Sequence, residues 1–416
     1  MSPIPSKCRP AVVALLLVGA LATTPTATAG ERAASNSCAG TLSYTRLDTS
    51  SAAAAQTRHL VTGDLNGDGT QDVVAANLDA DSVTVLLGAG DGTFAAGTAH
   101  PVGTRPYQSV LADFDGDGSL DLATADFGGA QVSVLLNTGD GGFGTASALD
   151  VGTSPRALAT GDLDGDGTPD LVVAEQGPST VRVLLGRGDG TFDDRGQTAT
   201  GSQPHGIVVG DFDGDGAADV ATASVGSAGV GVLLGDGAGG LGAVAGYAAT
   251  ARLYSLAEGD FDGNGTLDLA TVSNGADVLD VLPGNGDGTF GAATGYATSA
   301  LPVAVGAADL DGDGLTDLMV SSLKGNSVTL FQGVRGGPLT PLAELPAPGA
   351  YDAAAADLDG DGVRDLAVAN STGGEVDVFK GACQPPPPPW TWPGCAGPGA
   401  AAGTSTAGGS LLKRLE

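Results

Sequence analysis

Nine residues, Asp162 to Asp170 (DLDGDGTPD), carry acidic side chains at the first, third, fifth and ninth positions and glycines at the fourth and sixth. That donor set suits a hard divalent cation, since Ca²⁺ takes six to eight oxygens at about 2.3–2.6 Å from carboxylates, backbone carbonyls and water. Nine consecutive residues supply them only if the backbone curls around a point. Gly165 and Gly167 permit the curl, because glycine enters positive φ without steric penalty. Asp162, Asp164, Asp166 and Asp170 then give carboxylate oxygens, and Thr168 its main-chain carbonyl. The pattern returns six times. Its members are Asp64, Asn66, Asp68, Thr70 and Asp72; Asp113, Asp115, Asp117, Ser119 and Asp121; and Asp211, Asp213, Asp215, Ala217 and Asp219. It continues with Asp260, Asp262, Asn264, Thr266 and Asp268; Asp309, Asp311, Asp313, Leu315 and Asp317; and Asp357, Asp359, Asp361, Val363 and Asp365. Up to seven Ca²⁺ are expected. The plainer alternative is a set of rigid turns with water in place of metal, but four convergent carboxylates without a counter-ion are costly to hold together.

The charge of the chain follows from these loops. They hold 26 of its 48 acidic residues, against 17 Lys plus Arg, for a net charge of −31. Such a balance argues against nucleic acid, whose phosphates require basic side chains. With 42% hydrophobic residues in 416, the chain can build a large core, and its 70 glycines imply many turns. Lys7 and Arg9, the apolar run Ala11 to Ala22 and Ala27-Thr28-Ala29 resemble the three regions of a secretory signal over residues 1–29. The run is too short for a membrane span. A secreted, extracellular protein is expected, in surroundings that supply calcium and permit disulfides.

The elements that position the loops repeat with them. The first aspartates stand 49 residues apart five times and 48 once, a period that points to propellers or solenoids. In each unit a short strand precedes the loop, and an apolar second strand such as Asp170 to Ala174 follows it. A third strand such as Val181 to Leu185 and a glycine-rich turn such as Gly186 to Phe192 lead to a weaker fourth. Second strands that are apolar throughout are buried on both faces. Helical periodicity is absent, and a parallel β-helix uses shorter coils. The expected fold is all-β, a seven-bladed β-propeller of four-stranded blades.

The last repeat meets Cys383 and then five prolines, so its blade lacks a fourth strand. The alternating stretch Thr41 to Leu47 stands alone before the first repeat and is expected to complete that blade, closing the ring. Antiparallel pairing there would bring Cys38 to Cys383. Cys383 with Cys395 is the competing pair. The expected divisions are a signal over 1–29, a linker over 30–40, the propeller over 41–383 and a Pro-rich, then flexible tail over 384–416 with Trp390 and Trp392.

The loops, their spacing and turns such as Gly284 to Phe290 (GNGDGTF) resemble FG-GAP/VCBS repeats, the blades of integrin-α-type propellers. That resemblance implies an acidic loop between the first and second strands holding Ca²⁺ on one face, with ligands meeting the opposite face. It also implies weaker sites in loops one and five, where Asn66 and Asn264 stand in place of Asp. Six residues before each loop lie Arg58, Tyr107, Arg156, His205, Tyr254, Val303 and Tyr351 (six places before Asp357). This position opens the innermost strand, away from the calcium loops. Arg58, Tyr107, Arg156, His205, Tyr254 and Tyr351 form a candidate ligand ring able to stack on sugars, clamp a carboxylate or grip a peptide side chain. The plainer alternative is that these side chains only cover the channel mouth.

His59, His100 and His205 share no zinc-ligand spacing, and no nucleophile elbow or phosphate loop is present. The single-acid turns at Asp91, Asp140, Asp189 and Asp287 read as hairpin turns. Catalytic residues are therefore not assigned. The leading expectation is a monomeric extracellular recognition or adhesion module for glycan or protein. An enzyme of extracellular polysaccharides is the alternative, requiring an asymmetric cluster such as Arg156, His205 and Tyr254. A scaffold whose tail makes the interaction is a third.

Overall fold

The apolar hexapeptides that follow the seven loops form strands in which every residue is buried: Asp72–Asn77, Asp121–Asp126, Asp170–Glu175, Asp219–Ser224, Asp268–Ser273, Asp317–Ser322 and Asp365–Asn370. Burial on both faces requires a neighbouring sheet on each side, and the computed structural model supplies it. Residues 38, 41–52 and 56–384 are described. The expected signal, most of the linker, Cys8, Cys395, Trp390, Trp392 and the tail from residue 385 lie outside them. Seven four-stranded antiparallel sheets follow one another, six of them running first to fourth strand in chain order, with no helix among the described residues. The chain is a seven-bladed β-propeller.

Each hydrophobic cluster is shared by two consecutive blades. One joins Val172, Val181 and Val183 to Ile207, Val220 and Leu233, and another joins Val376, Val378 and Ala367 to Leu60, Val73 and Leu86 across the closure. The apolar driving force thus holds blade to blade rather than compacting a blade on itself. First strands of adjacent blades lie against one another and so ring the axis.

The seventh sheet contains first, second and third strands from the C-terminal repeat, and its fourth strand is Thr41–Ala52. Thr41 pairs with Gln384, Leu42 with Cys383 and Arg46 with Phe379; a register shift follows, after which Ser50 faces Asp377. This strand is longer than the Thr41 to Leu47 expected. The partner Glu375–Gln384 offers ten residues of edge, and unpaired backbone beside it recruits the Ser/Ala stretch in spite of its composition. Arg46 anchors the pairing through an ion pair with Asp377 at 2.6 Å. Cys38 and Cys383 are bonded, with Cα atoms 5.4 Å apart and 345 residues between them in sequence.

Closing so long a loop restricts the unfolded chain by roughly 5–6 kcal/mol in the chain-entropy treatment, an upper value. The Cys38→Ser/Cys383→Ser variant is expected to unfold at markedly lower denaturant concentration, with a steeper slope as the freed unfolded chain exposes more surface. An unaltered midpoint in equilibrium urea unfolding would show that the bond contributes nothing to the closure.

Candidate metal loops and axial ring

The first aspartate of each loop organises the turn around itself. In loop three Asp162 Oδ1 accepts the N–H groups of Gly165 at 2.7 Å and Asp166 at 3.1 Å, and Oδ2 accepts that of Gly167 at 2.9 Å. Gly165 and Gly167 have φ of 76° and 87°, the left-handed values that turn successive amides inward. The fifth-position residue takes the amide of the seventh: Asp166 from Thr168 at 2.7 Å, with the same bond from Thr70, Ser119, Ala217, Thr266, Leu315 and Val363.

The ninth aspartate is buried and receives two amides. Asp170 Oδ2 accepts the Leu163 N–H at 2.7 Å and Oδ1 the Gly186 N–H at 2.8 Å. All seven loops repeat the pair, with Asn137 replacing the third-strand glycine in blade two. The carbonyl of the second-position residue then accepts from the next blade. Gly190 N–H reaches Phe114, Gly239 reaches Leu163, Gly288 reaches Phe212, Val334 reaches Phe261, and Gly92 crosses the closure to Leu358, at 2.9–3.1 Å. In blade two the Asn137 side chain makes this bond to Leu65 at 2.9 Å. Blade seven has no such turn, and Cys38 N–H bonds the Asp311 carbonyl at 2.6 Å instead. These inter-blade bonds were not legible in the motif, which reads as seven separate loops.

Carboxylate oxygens of the first, third and ninth residues come within 4.8 Å of one another at Asp113, Asp115 and Asp121; Asp162, Asp164 and Asp170; Asp211, Asp213 and Asp219; Asp260, Asp262 and Asp268; and Asp309, Asp311 and Asp317. The donors are all hard oxygens, and these five loops fit a divalent cation. The fifth-position carboxylates, expected as ligands, are not in these five groups, and one oxygen of each accepts the seventh amide. Burial, opposed by the two amides and aided by neighbouring loop carboxylates (the first and third, or the first and fifth at Asp365), lifts the ninth carboxyl to about 6 at Asp121, Asp170, Asp219, Asp268 and Asp365 and to about 7 at Asp317.

One further group of this kind is present beside the five, and loops one and seven carry features of their own. In loop one the Asn66 amide donates to Asp68 at 3.0 Å. In loop seven Lys380 bonds Asp359 and lies 3.2 Å from Asp361, so an ammonium already sits among the carboxylates. The equivalent third-strand residue is Leu87, Leu136, Leu185 or Leu234 in blades one to four, and Gln332 in blade six, which donates to Asp311 at 2.7 Å. Loop seven matches the motif fully, so this difference was invisible without the strand register. The turns at Asp91, Asp140, Asp189 and Asp287 are single-carboxylate turns; Asp189, for example, accepts the Thr191 N–H at 3.0 Å.

The six ring residues open the first strands, at the end opposite the loops. Each is the extra residue of a β-bulge: Pro155 pairs with Glu175 and Ala157 with Ala174, leaving Arg156 unpaired, and the same shift recurs in every blade. A bulge re-aims its side chain out of the sheet alternation, here toward the axis. Two places earlier a residue is in the left-handed region in all seven blades, non-glycine in six, such as Ser154 at φ 57°.

The ring side chains meet across the axis. The Tyr107 and Tyr351 hydroxyls bond, Arg156 Nη2 donates to Tyr254 Oη at 3.0 Å, and the Arg156 guanidinium lies 3.2 Å from the Tyr107 ring centroid. Arg58 lies over Tyr351 at 4.2 Å, and His205 packs on Tyr254 with centroids 4.6 Å apart. The ring side chains thus form one connected cluster around the axis, in which Arg58, Tyr107, His205 and Tyr254 stay partly exposed. Burial and the Arg156 charge push His205 down to about 3, so it stays neutral. Burial raises the Tyr254 hydroxyl, but Arg156 and the surrounding hydrogen bonds outweigh it and hold Tyr254 below the usual phenol value. Val303, the apolar seventh member, is buried. A separate open cleft of about 540 Å³ lies between blades four and five, lined by Tyr247, Thr250, Asp280 and Phe290; Asp280 accepts the Thr250 N–H at 2.6 Å.

The raised ninth carboxyls give a pH dependence of known sign. Their folded values lie above the 3.8 of an ordinary aspartyl carboxyl. The stabilisation from protonation is therefore complete below that value and lost as pH rises through about 6. With chelator present the melting temperature is expected to fall between about pH 4 and pH 7, and excess calcium should remove most of the decline. A chelated protein more stable at neutral than at mildly acidic pH would contradict this assignment.

A family profile described as FG-GAP-like repeat matches residues 64–124, 113–173, 162–222, 260–320 and 309–368, stretches that together contain all seven loops. No curated protein matches. Among solved structures, the chain is similar to an Agrocybe aegerita lectin described as specifically recognising non-reducing terminal N-acetylglucosamine, at 24% identity and TM-score 0.52, covering 79% of this chain and 86% of that one. It is similar to BBS1N in complex with ARL6DN at 15% identity and TM-score 0.58, covering 81% and 96%. It is also similar to a catalytically inactive virginiamycin B lyase from Staphylococcus aureus with quinupristin, at 11% identity and TM-score 0.52, covering 81% and 98%. At these identities the likenesses concern the fold. The repeat match spans more than half of the sequence and falls on the loops that staple blade to blade, and on that ground the chain belongs to the FG-GAP-like repeat family.

Proposed function

We propose that this propeller is a secreted, calcium-loaded recognition module, lectin-like or adhesive, that meets an extracellular glycan through the ring face. The observation that carries the reading is the division of the molecule: the acidic loops occupy one end of the first strands, and an Arg/Tyr/His cluster occupies the other. The Cys38–Cys383 bond supports an oxidising compartment, and the apolar run before it fits export. No helix among the described residues is long and apolar enough to cross a membrane. The lectin likeness is compatible with a sugar ligand. Arg58, Tyr107, Arg156, His205, Tyr254 and Tyr351 are the proposed contact residues, on a monomer.

The cofactor in this reading is Ca²⁺, up to seven ions, held by the first, third and ninth side chains of each loop (carboxylates except for Asn66) with the fifth side chain and the seventh carbonyl joining them. Bound calcium would neutralise clustered carboxylates and so stiffen the loop face. Loop seven is the weakest because Lys380 competes there. Native mass spectrometry at saturating calcium is expected to count at least one ion fewer than there are loops, and Lys380→Leu to add one. Identical counts and affinities in the two proteins would remove Lys380 as a competitor.

A second reading, an enzyme acting on extracellular polysaccharide, draws on the convergence of Arg156, His205 and Tyr254, with neutral His205 or Tyr254 as base. Glycan-array binding separates the two. Chelator-sensitive binding abolished by Tyr254→Ala or Tyr107→Ala is expected, whereas polymer turnover abolished by His205→Ala would favour the enzyme. Binding to nothing on the array, with full calcium occupancy, would overturn the glycan reading.

A further inference from the structure

Arg156 is buried, yet no carboxylate among the described residues lies within 4.0 Å of its guanidinium, and none lies so near that of Arg58. The contrast with Arg182 is direct: its side chain is 14% exposed and is paired with both Glu175 and Asp194. Arg105, Arg195, Arg252, Arg335 and Arg364 also lack an acid but are exposed, whereas Arg156 is buried and Arg58 half-buried, so these two are the unpaired guanidiniums held back from solvent. A buried cation without a counter-charge is costly, and tyrosine faces and hydroxyls recover only part of that cost.

The unfilled valences are specific. Arg156 Nε, Arg58 Nε and His205 Nδ1 are buried without hydrogen-bond partners. Arg156 uses Nη2 on Tyr254 and Arg58 uses Nη2 on Gln56 at 2.7 Å, which leaves donors of both guanidiniums free. The missing group is therefore an acceptor bearing negative charge, and a planar carboxylate matches a guanidinium in two-pronged fashion.

We propose that the axial ring binds the carboxylate of a uronate residue in an acidic polysaccharide, with Arg156 and Arg58 on the carboxylate and the Tyr107 and Tyr254 rings and hydroxyls against the sugar. The proposal rests on the glycan reading and names the class of sugar. A saccharide is favoured over an acidic protein segment because the ring cluster is built of hydroxyls and π faces. A protein partner would want an apolar anchor, and the only exposed large hydrophobic residues among the described ones, Leu234 and Val244, lie in and beside the outer turn of blade four.

The test is calorimetric titration of the full chain, at calcium low enough not to bridge the ligand, with trigalacturonate, neutral galactotriose and tetraglutamate. Trigalacturonate is expected to bind at least tenfold more tightly than either of the others. Arg156→Met keeps the volume and removes the unpaired charge. It should lose that binding at least tenfold without lowering the melting temperature, which a purely structural arginine would lower. Should Arg156→Met fail to fold, Arg58→Met, at a less buried position, serves in its place. Equal binding of trigalacturonate and galactotriose overturns this proposal and leaves the glycan reading standing. Preference for tetraglutamate overturns the sugar assignment, and binding unchanged in the arginine variants overturns the site. Binding of none of the three, together with an empty glycan array, removes both readings.

Discussion

Two amides on one buried carboxylate hold this propeller together. The ninth aspartate of each loop fixes the second-position residue of its own loop on one oxygen and the end of the third strand on the other. Hydrogen bonds to a charged acceptor contribute on the order of 1.5–3 kcal/mol each. The second-position Leu or Phe is thereby pressed into the core, and its carbonyl is presented to the neighbouring turn. Removing the aspartate would release strand end, core side chain and inter-blade bond together. The cost is a carboxylate in a buried place beside two others, and the elevated ninth carboxyls are its electrostatic trace.

The same arrangement explains how the ring closes with unlike ends. Blade seven ends in Cys383 and has no outer turn, yet loop six still needs a partner on its exposed carbonyl side. Cys38 supplies it through its N–H to Asp311, and its sulfur fixes the segment to the strand it accompanies. The disulfide and the amide bond are two fastenings of one seam.

Much of this was legible in the sequence because the loop motif is strict and its spacing nearly invariant. Seven copies at 48–49 residues determine the blade count, and the proline run after Cys383 forces the fourth strand of the last blade to come from elsewhere. What remained hidden depends on register. Lys380 is one residue of a third strand until pairing with Leu366 at Phe379 sets it beside loop seven. The ring residues share a sequence offset, but the offset does not reveal the bulge that turns them inward, nor that the Tyr107 and Tyr351 hydroxyls would meet. The strand from Thr41 ran on through residues of poor strand propensity because the partner edge was there to be paired.

Charge is segregated along the axis, with acidic loops at one end of the innermost strands and unpaired guanidiniums at the other. The central claim is that the loops, through their inter-blade amides, fasten one blade to the next, and that cation occupancy keeps them fastened. Hydrogen exchange of the Gly92, Gly190, Gly239 and Gly288 amides with calcium and with chelator measures this directly. The account predicts strong protection that collapses together on chelation while the second-strand amides stay protected. Protection of those four glycines unchanged by chelator would contradict it.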